Sequence, residues 1–152
     1  MMARDYFDSL RLSVAELARM EDRIATLNES SHAPKAQGQE PSSGGRVVQP
    51  IADRSIDAER EFESMRAHLL PELDRACRVL YGASGRGGVA KDCGYASADA
   101  IHGYYLQAMT WPEVAAELVR PDSKDGAHWC RNRAMAALAH IDAVGMARLE
   151  YS

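Results

Sequence analysis

Apolar residues recur at a helical interval from the start of the chain. Leu10, Val14, Leu17, Met20, Ile24 and Leu27 are separated by steps of three and four. Such spacing makes one narrow stripe, the width of a coiled-coil seam and not of a broad globular face. Arg11, Glu16, Arg19, Glu21, Asp22 and Arg23 occupy the other faces, the mixed-sign pattern of a solvated helix. The pattern predicts a helix over 4–28. A second seam runs through Ala58, Phe62, Met65, Leu69, Leu73, Ala76 and Leu80 and predicts a helix over 51–81. Pro71 interrupts it, and because proline removes a helical hydrogen bond, a kink or a break is expected near Leu70. Between the seams, residues 29–50 hold three prolines, three glycines and four serines, with Val47-Val48 as the sole apolar pair. That segment buries too little to offset its ordering entropy and is expected to be a flexible loop. Two seams of equal width joined by such a loop suggest a coiled-coil-like helical hairpin, closed within one chain or between subunits.

The pattern changes after Tyr81. Gly82-Ala83-Ser84-Gly85-Arg86-Gly87-Gly88 resembles a phosphate loop in composition only. No Lys-Ser/Thr follows it and no strand precedes it, so 82–96 is read as a Gly-rich hinge with one helical turn at 89–93, stopped by Gly94. Ser97 is placed as the cap of a helix containing Ala100, Ile101, Tyr104, Tyr105 and Met109. Thr110-Trp111-Pro112-Glu113 is the sharpest local signal in the chain. The Thr hydroxyl takes the backbone N–H of Glu113, the Glu carboxylate reaches back to the Thr N–H, and Pro112 sits where no helical partner is lost. The helix it starts buries Trp111, Val114, Ala115 and Leu118 and runs to about Val119. Arg120-Pro121-Asp122-Ser123 reads as a turn with Ser123 capping a third helix over 124–143. The buried stripe of that helix is Ala127, Cys130, Ala134, Leu138 and Ile141. Gly145 ends it, and 146–152 is expected to be a frayed tail. The fold class is therefore all-α: a helical hairpin over 1–81, a hinge, and a three-helix helix-turn-helix module over 97–145.

Composition narrows the function classes. The chain has 152 residues, is 46% hydrophobic and 26% charged, and carries a net charge of −4. No apolar run is long enough for a membrane span and the charged N-terminus does not read as a signal peptide, so no membrane association and a cytoplasmic location are expected. Three widely spaced cysteines, Cys77, Cys93 and Cys130, argue against a disulfide framework. No two of Cys93, Cys130, His102 and His128 lie at metal-ligand spacing, so no metal site is expected. No nucleophile–base pair or carboxylate pair stands out. Neither catalysis nor a cofactor is expected.

Tyr104-Tyr105-Leu106, then Thr110-Trp111 with Glu113-Val114-Ala115 and Leu118, then a short turn and Arg133-Ala134-Met135-Ala136-Ala137-Leu138, is similar to region four of bacterial sigma factors. The whole layout resembles the ArpU-like late-transcription regulators of phages and prophages. The resemblance implies a helix-turn-helix regulator in a bacterial host cell, with double-stranded DNA and RNA polymerase as partners and the N-terminal helices available for homo-oligomerisation. Carried onto this chain, Ser123 caps the recognition helix, and Lys124, Asp125, His128, Trp129, Arg131 and Asn132 face DNA. Lys and Arg suit phosphates, and Arg and Asn suit base edges in the major groove.

Charge pulls against this reading. From Ser97 onward there are five basic and seven acidic residues, a poor balance for an autonomous DNA binder. Two alternatives stay open: a small-terminase-like DNA-packaging or assembly protein, which also joins a helix-turn-helix to a coiled coil, and an interaction module with no nucleic-acid contact.

Overall fold

A computed structural model describes residues 1–32, 51–119 and 125–152, with side chains described over 1–29, 54–119 and 125–152. The expected turn at 120–123 and nearly all of the expected loop, Val47-Val48 included, lie outside the described residues. The fold is all-α. Its helices are α1 (Ala3–His32), α2 (Ile51–Tyr81), α3 (Gly88–Cys93), α4 (Tyr95–Ile101), α5 (Trp111–Leu118), α6 (Gly126–Val144) and α7 (Met146–Glu150), with a π-helical turn, His102–Leu106, between α4 and α5.

Two compact units divide the chain. One comprises Met1–Ala15 with His68–Ser152, the other Glu16–Ala67. Both long helices pass through both units, and the Gly-rich stretch read as a hinge lies inside the first. In α2 the boundary falls at Ala67–His68, the turn whose hydrogen bond Pro71 cannot supply. Helix α2 nevertheless continues through Pro71 to Tyr81. Pro71 and Ala67 both face solvent, where water can satisfy the freed carbonyl.

In the second unit the seams are only half-buried. Leu17, Met20, Ile24 and Leu27 of α1 and Ala58, Phe62 and Met65 of α2 all keep partial solvent contact. The buried Ser55 hydroxyl donates to Asn28 Oδ1 at 2.5 Å, which joins the two helices there. The ion pairs Glu16–Arg19 and Glu63–Arg66 are exposed and contribute little.

The first unit has the true core. Phe7, Ala76, Val79, Leu80, Val89, Ile101, Tyr105, Val114, Cys130, Ile141 and Leu149 are almost wholly removed from water. Several polar links fasten α1 to this core. The Ala3 N–H donates to Asp142 Oδ1 at 2.7 Å, and the Tyr6 hydroxyl donates to the Glu72 carboxylate at 3.2 Å. The Tyr81 hydroxyl donates to Asp99 at 2.6 Å; its burial and that carboxylate raise its pKa. Burial also holds His102 toward its neutral form, opposed by Asp99 and Glu117.

Two expectations are corrected. Ser97 caps no helix: α4 starts two residues earlier, after Gly94 (φ +97°), and the buried Ser97 hydroxyl donates back to the Cys93 carbonyl. A buried hydroxyl one turn into a helix satisfies itself on the preceding turn, so the sequence signature of a cap was misleading. Residues 146–152 are not a frayed tail. Leu149 and Glu150 are buried, and Glu150 accepts hydrogen bonds from Arg78 (3.0 Å) and Arg75 (3.3 Å) on α2. Ser152 seats against the glycine turn, its hydroxyl accepting the Gly88 N–H at 2.7 Å. A Cβ at Gly82 would come within 2.6 Å of the Ser152 carbonyl, and one at Gly87 would overlap that carbonyl more closely still. These glycines therefore permit a close approach.

Candidate nucleic-acid interface

Helix α5 begins as its residues dictate. The Glu113 N–H donates to Thr110 Oγ1 at 3.3 Å, and the Thr110 N–H donates to Glu113 Oε1 at 3.2 Å. The bonds to Thr110 hold the Glu113 carboxyl below its ordinary pKa. Val114 and Ala115 are the residues α5 buries most deeply; Trp111 and Leu118 are half-exposed. Trp111 instead stacks on Tyr104, with ring centroids 4.0 Å apart and planes 5° from parallel.

The strand of backbone leading into α5 departs from a simple helix end. Gln107 N–H bonds the His102 carbonyl at 3.1 Å, the wide register of a π turn, and Ala108 adopts a left-handed conformation with φ +54°. Met109 therefore lies beyond the helix that was expected to include it. Arg11 of α1 donates through Nη1 to the carbonyls of Tyr104 and Met109, the latter at 2.7 Å. A positive side chain is well suited to free carbonyls at a helix C-terminus.

Helix α6 packs on α4 and α5. Its buried stripe is Gly126, Cys130, Ala134, Ala137, Leu138 and Ile141, while Ala127 is only partly covered. The N-cap position falls on Asp125, whose side chain makes no capping bond, two residues past the Ser123 expected there. Ser123 and Lys124 themselves lie outside the described residues. The other five expected interface residues, Asp125, His128, Trp129, Arg131 and Asn132, are all exposed. Among the described residues, the side chains of His128, Arg131 and Asn132 engage no hydrogen-bonding or ionic partner. The opposite end of α6 is braced by the His140–Asp92 pair at 2.9 Å.

Trp129 is 40% exposed and stands between two grooves. One, of about 400 Å³, is lined by Cys93, Ser97, Trp129, Asn132, Arg133, Ala136 and Ala137. The other, of about 340 Å³, is lined by Leu118, Val119, Asp125, Gly126 and Trp129. The Arg133 guanidinium lies over the Trp129 ring, 4.7 Å from its centroid. Arg133 was not among the expected interface residues. Its signal was present, however, because an Arg four residues after a Trp shares one helix face with it.

Among the described residues no group of three His, Cys, Asp or Glu side chains is arranged to hold a metal ion, and no helix is long and apolar enough to cross a membrane. No family model, curated protein or solved structure matches the chain.

Proposed function

We propose that the chain is a helix-turn-helix regulator of the phage or prophage late-transcription type, in which α5 braces α6 and α6 enters the major groove of promoter DNA. The observation that supports this reading is the uncommitted polar face of α6. His128, Arg131 and Asn132 are exposed outside the buried stripe and, among the described residues, have no hydrogen-bonding or ionic partner. Arg and Asn in such positions bond base edges and phosphates. The net charge of −4 limits what one copy achieves alone, because phosphate neutralisation supplies most of the affinity for a duplex. DNA binding is therefore aided by a second copy or by RNA polymerase. The half-buried seams of Leu17, Met20, Ile24, Phe62 and Met65 suit the first role, since apolar stripes gain by burial against another layer.

Selection of bound duplexes from a random-sequence pool, with the full chain alone and with RNA polymerase, tests the proposal. An enriched sequence in either condition is the expected result. No enrichment in both refutes it.

A further inference from the structure

Beyond the face assigned to DNA, α6 carries a second feature on its α4 side. There Trp129 and Arg133 form one wall of the groove of about 400 Å³, and Cys93, Ala136 and Ala137 give it apolar surface. Arg133 is, among the described residues, its only charged lining residue. Among the described residues no carboxylate pairs with this guanidinium, which is held over the indole ring instead. The guanidinium N–H donors have no hydrogen-bond partner among the described residues, which leaves them available for bidentate capture of a carboxylate. The nearest acid in sequence to the groove, Asp92, is engaged by His140.

We infer that this groove docks an acidic, amphipathic segment of a partner protein, with one apolar side chain lying over Ala136, Ala137 and Cys93 and a neighbouring carboxylate taken by Arg133. Charge complementarity and the apolar surface together select this occupant. A phosphate would use Arg133 but gains nothing from the alanine wall. A duplex also brings a charge roughly every 1.7 Å toward a chain that is net negative, whereas a peptide segment brings one or two. The groove shares Asn132 with the face assigned to DNA, while His128 and Arg131 lie outside its lining, so the peptide and duplex probes separate the two readings.

The test is a nuclear magnetic resonance titration of the ¹⁵N-labelled full chain, following the Trp129 indole N–H and the Arg133 Nε–H. The probes are short Ser/Gly peptides carrying a central Leu-Glu or Phe-Asp pair, their Leu-Gln and Phe-Asn counterparts, and a random-sequence duplex. Saturable shifts of both signals with the acidic peptides are expected, about tenfold weaker with the amide counterparts and with Arg133→Gln. Because Arg133 is exposed, its replacement leaves the remaining spectrum in place, and Arg133→Lys recovers part of the binding. Absence of saturation at millimolar acidic peptide, equal binding of acid and amide peptides, or shifts of these two signals by the duplex alone would each overturn the inference.

Discussion

Arg11 lies over the ring of Tyr104, its Cζ 3.8 Å from the ring centroid, while Trp111 stacks on the same ring at 4.0 Å. Two groups that close cannot share one face, so Tyr104 is sandwiched between them. The guanidinium simultaneously donates to the Tyr104 and Met109 carbonyls. One side chain from α1 thus fixes the end of the π turn and the entry to α5. Arg11→Ala removes a stacked cation and leaves two carbonyls without their charged donor. We expect a loss of about 2–3 kcal/mol in urea unfolding, the scale of hydrogen bonds to a charged group. Arg11→Lys recovers only a part, because an ammonium offers no planar fork or stacking surface. An unchanged midpoint for Arg11→Ala would show that α5 is anchored by other contacts.

Ala108 holds a left-handed backbone, φ +54°, at the centre of the same junction. An L-residue with a Cβ pays about 1–2 kcal/mol there, and glycine avoids it. Ala108→Gly is therefore expected to raise stability by up to about 1 kcal/mol after the extra entropy of glycine in the unfolded chain is counted. Thermal unfolding of the variant checks this. A clear loss of stability contradicts the assigned conformation.

The Glu150 carboxylate, whose side chain is 7% exposed, is bound by Arg78 and Arg75. The Arg78 hydrogen bond is the largest cause of its lowered pKa; burial opposes it and Arg75 reinforces it. A depressed folded-state pKa means that the stabilisation is fully present above the unfolded value of about 4.3 and is lost as pH falls through the lower folded value. Urea midpoints measured from pH 7 down to pH 3 should fall in the wild type, and Glu150→Gln should be less stable at pH 7 and flatter over that range. Parallel profiles would rule out the clamp.

Two glycines of one turn separate sterics from conformation. Gly85 has φ +80° with open space around its Cβ position, so Gly85→Ala costs about 1 kcal/mol from backbone conformation alone. Gly87 has an ordinary negative φ, but an added Cβ would overlap the Ser152 carbonyl. Gly87→Ala is expected to cost about 2–3 kcal/mol, as overpacking does, and to lose protection of the Leu149 amide in hydrogen exchange. Equal effects of the two substitutions would mean that Ser152 does not pack on this turn.

What could be read from sequence follows from which interactions are local. The seams of α1 and α2 were legible because burial at Leu10, Leu69, Ala76 and Leu80, and partial burial between them, obeys helical periodicity. The start of α5 was legible because a capping box is complete within four residues. Gly145 ending α6 was legible for the same reason. The π turn, the left-handed Ala108 and the packed 146–152 segment were not. Each depends on a partner distant in sequence: Arg11 reaches Tyr104 across 93 positions, and Glu150 reaches Arg75 across 75. In the candidate site, the resemblance places Asp125, His128, Trp129, Arg131 and Asn132 on an outward face, and all five are exposed. The i,i+4 spacing of Trp129 and Arg133 places both on one helix face, but spacing alone does not say that the guanidinium lies over the indole ring.

The central claim is that the exposed polar face of α6 grips DNA. Anisotropy titration of a labelled duplex with the full chain, RNA polymerase present, and with Arg131→Ala and Arg148→Ala variants tests it most directly. The account predicts saturable, salt-sensitive binding that weakens about tenfold in Arg131→Ala, with a salt slope lower by about one if that guanidinium meets phosphate. Arg148 lies on α7 and its loss should leave the titration unchanged. Equal behaviour of the two variants, or no binding by the wild type, would contradict the claim.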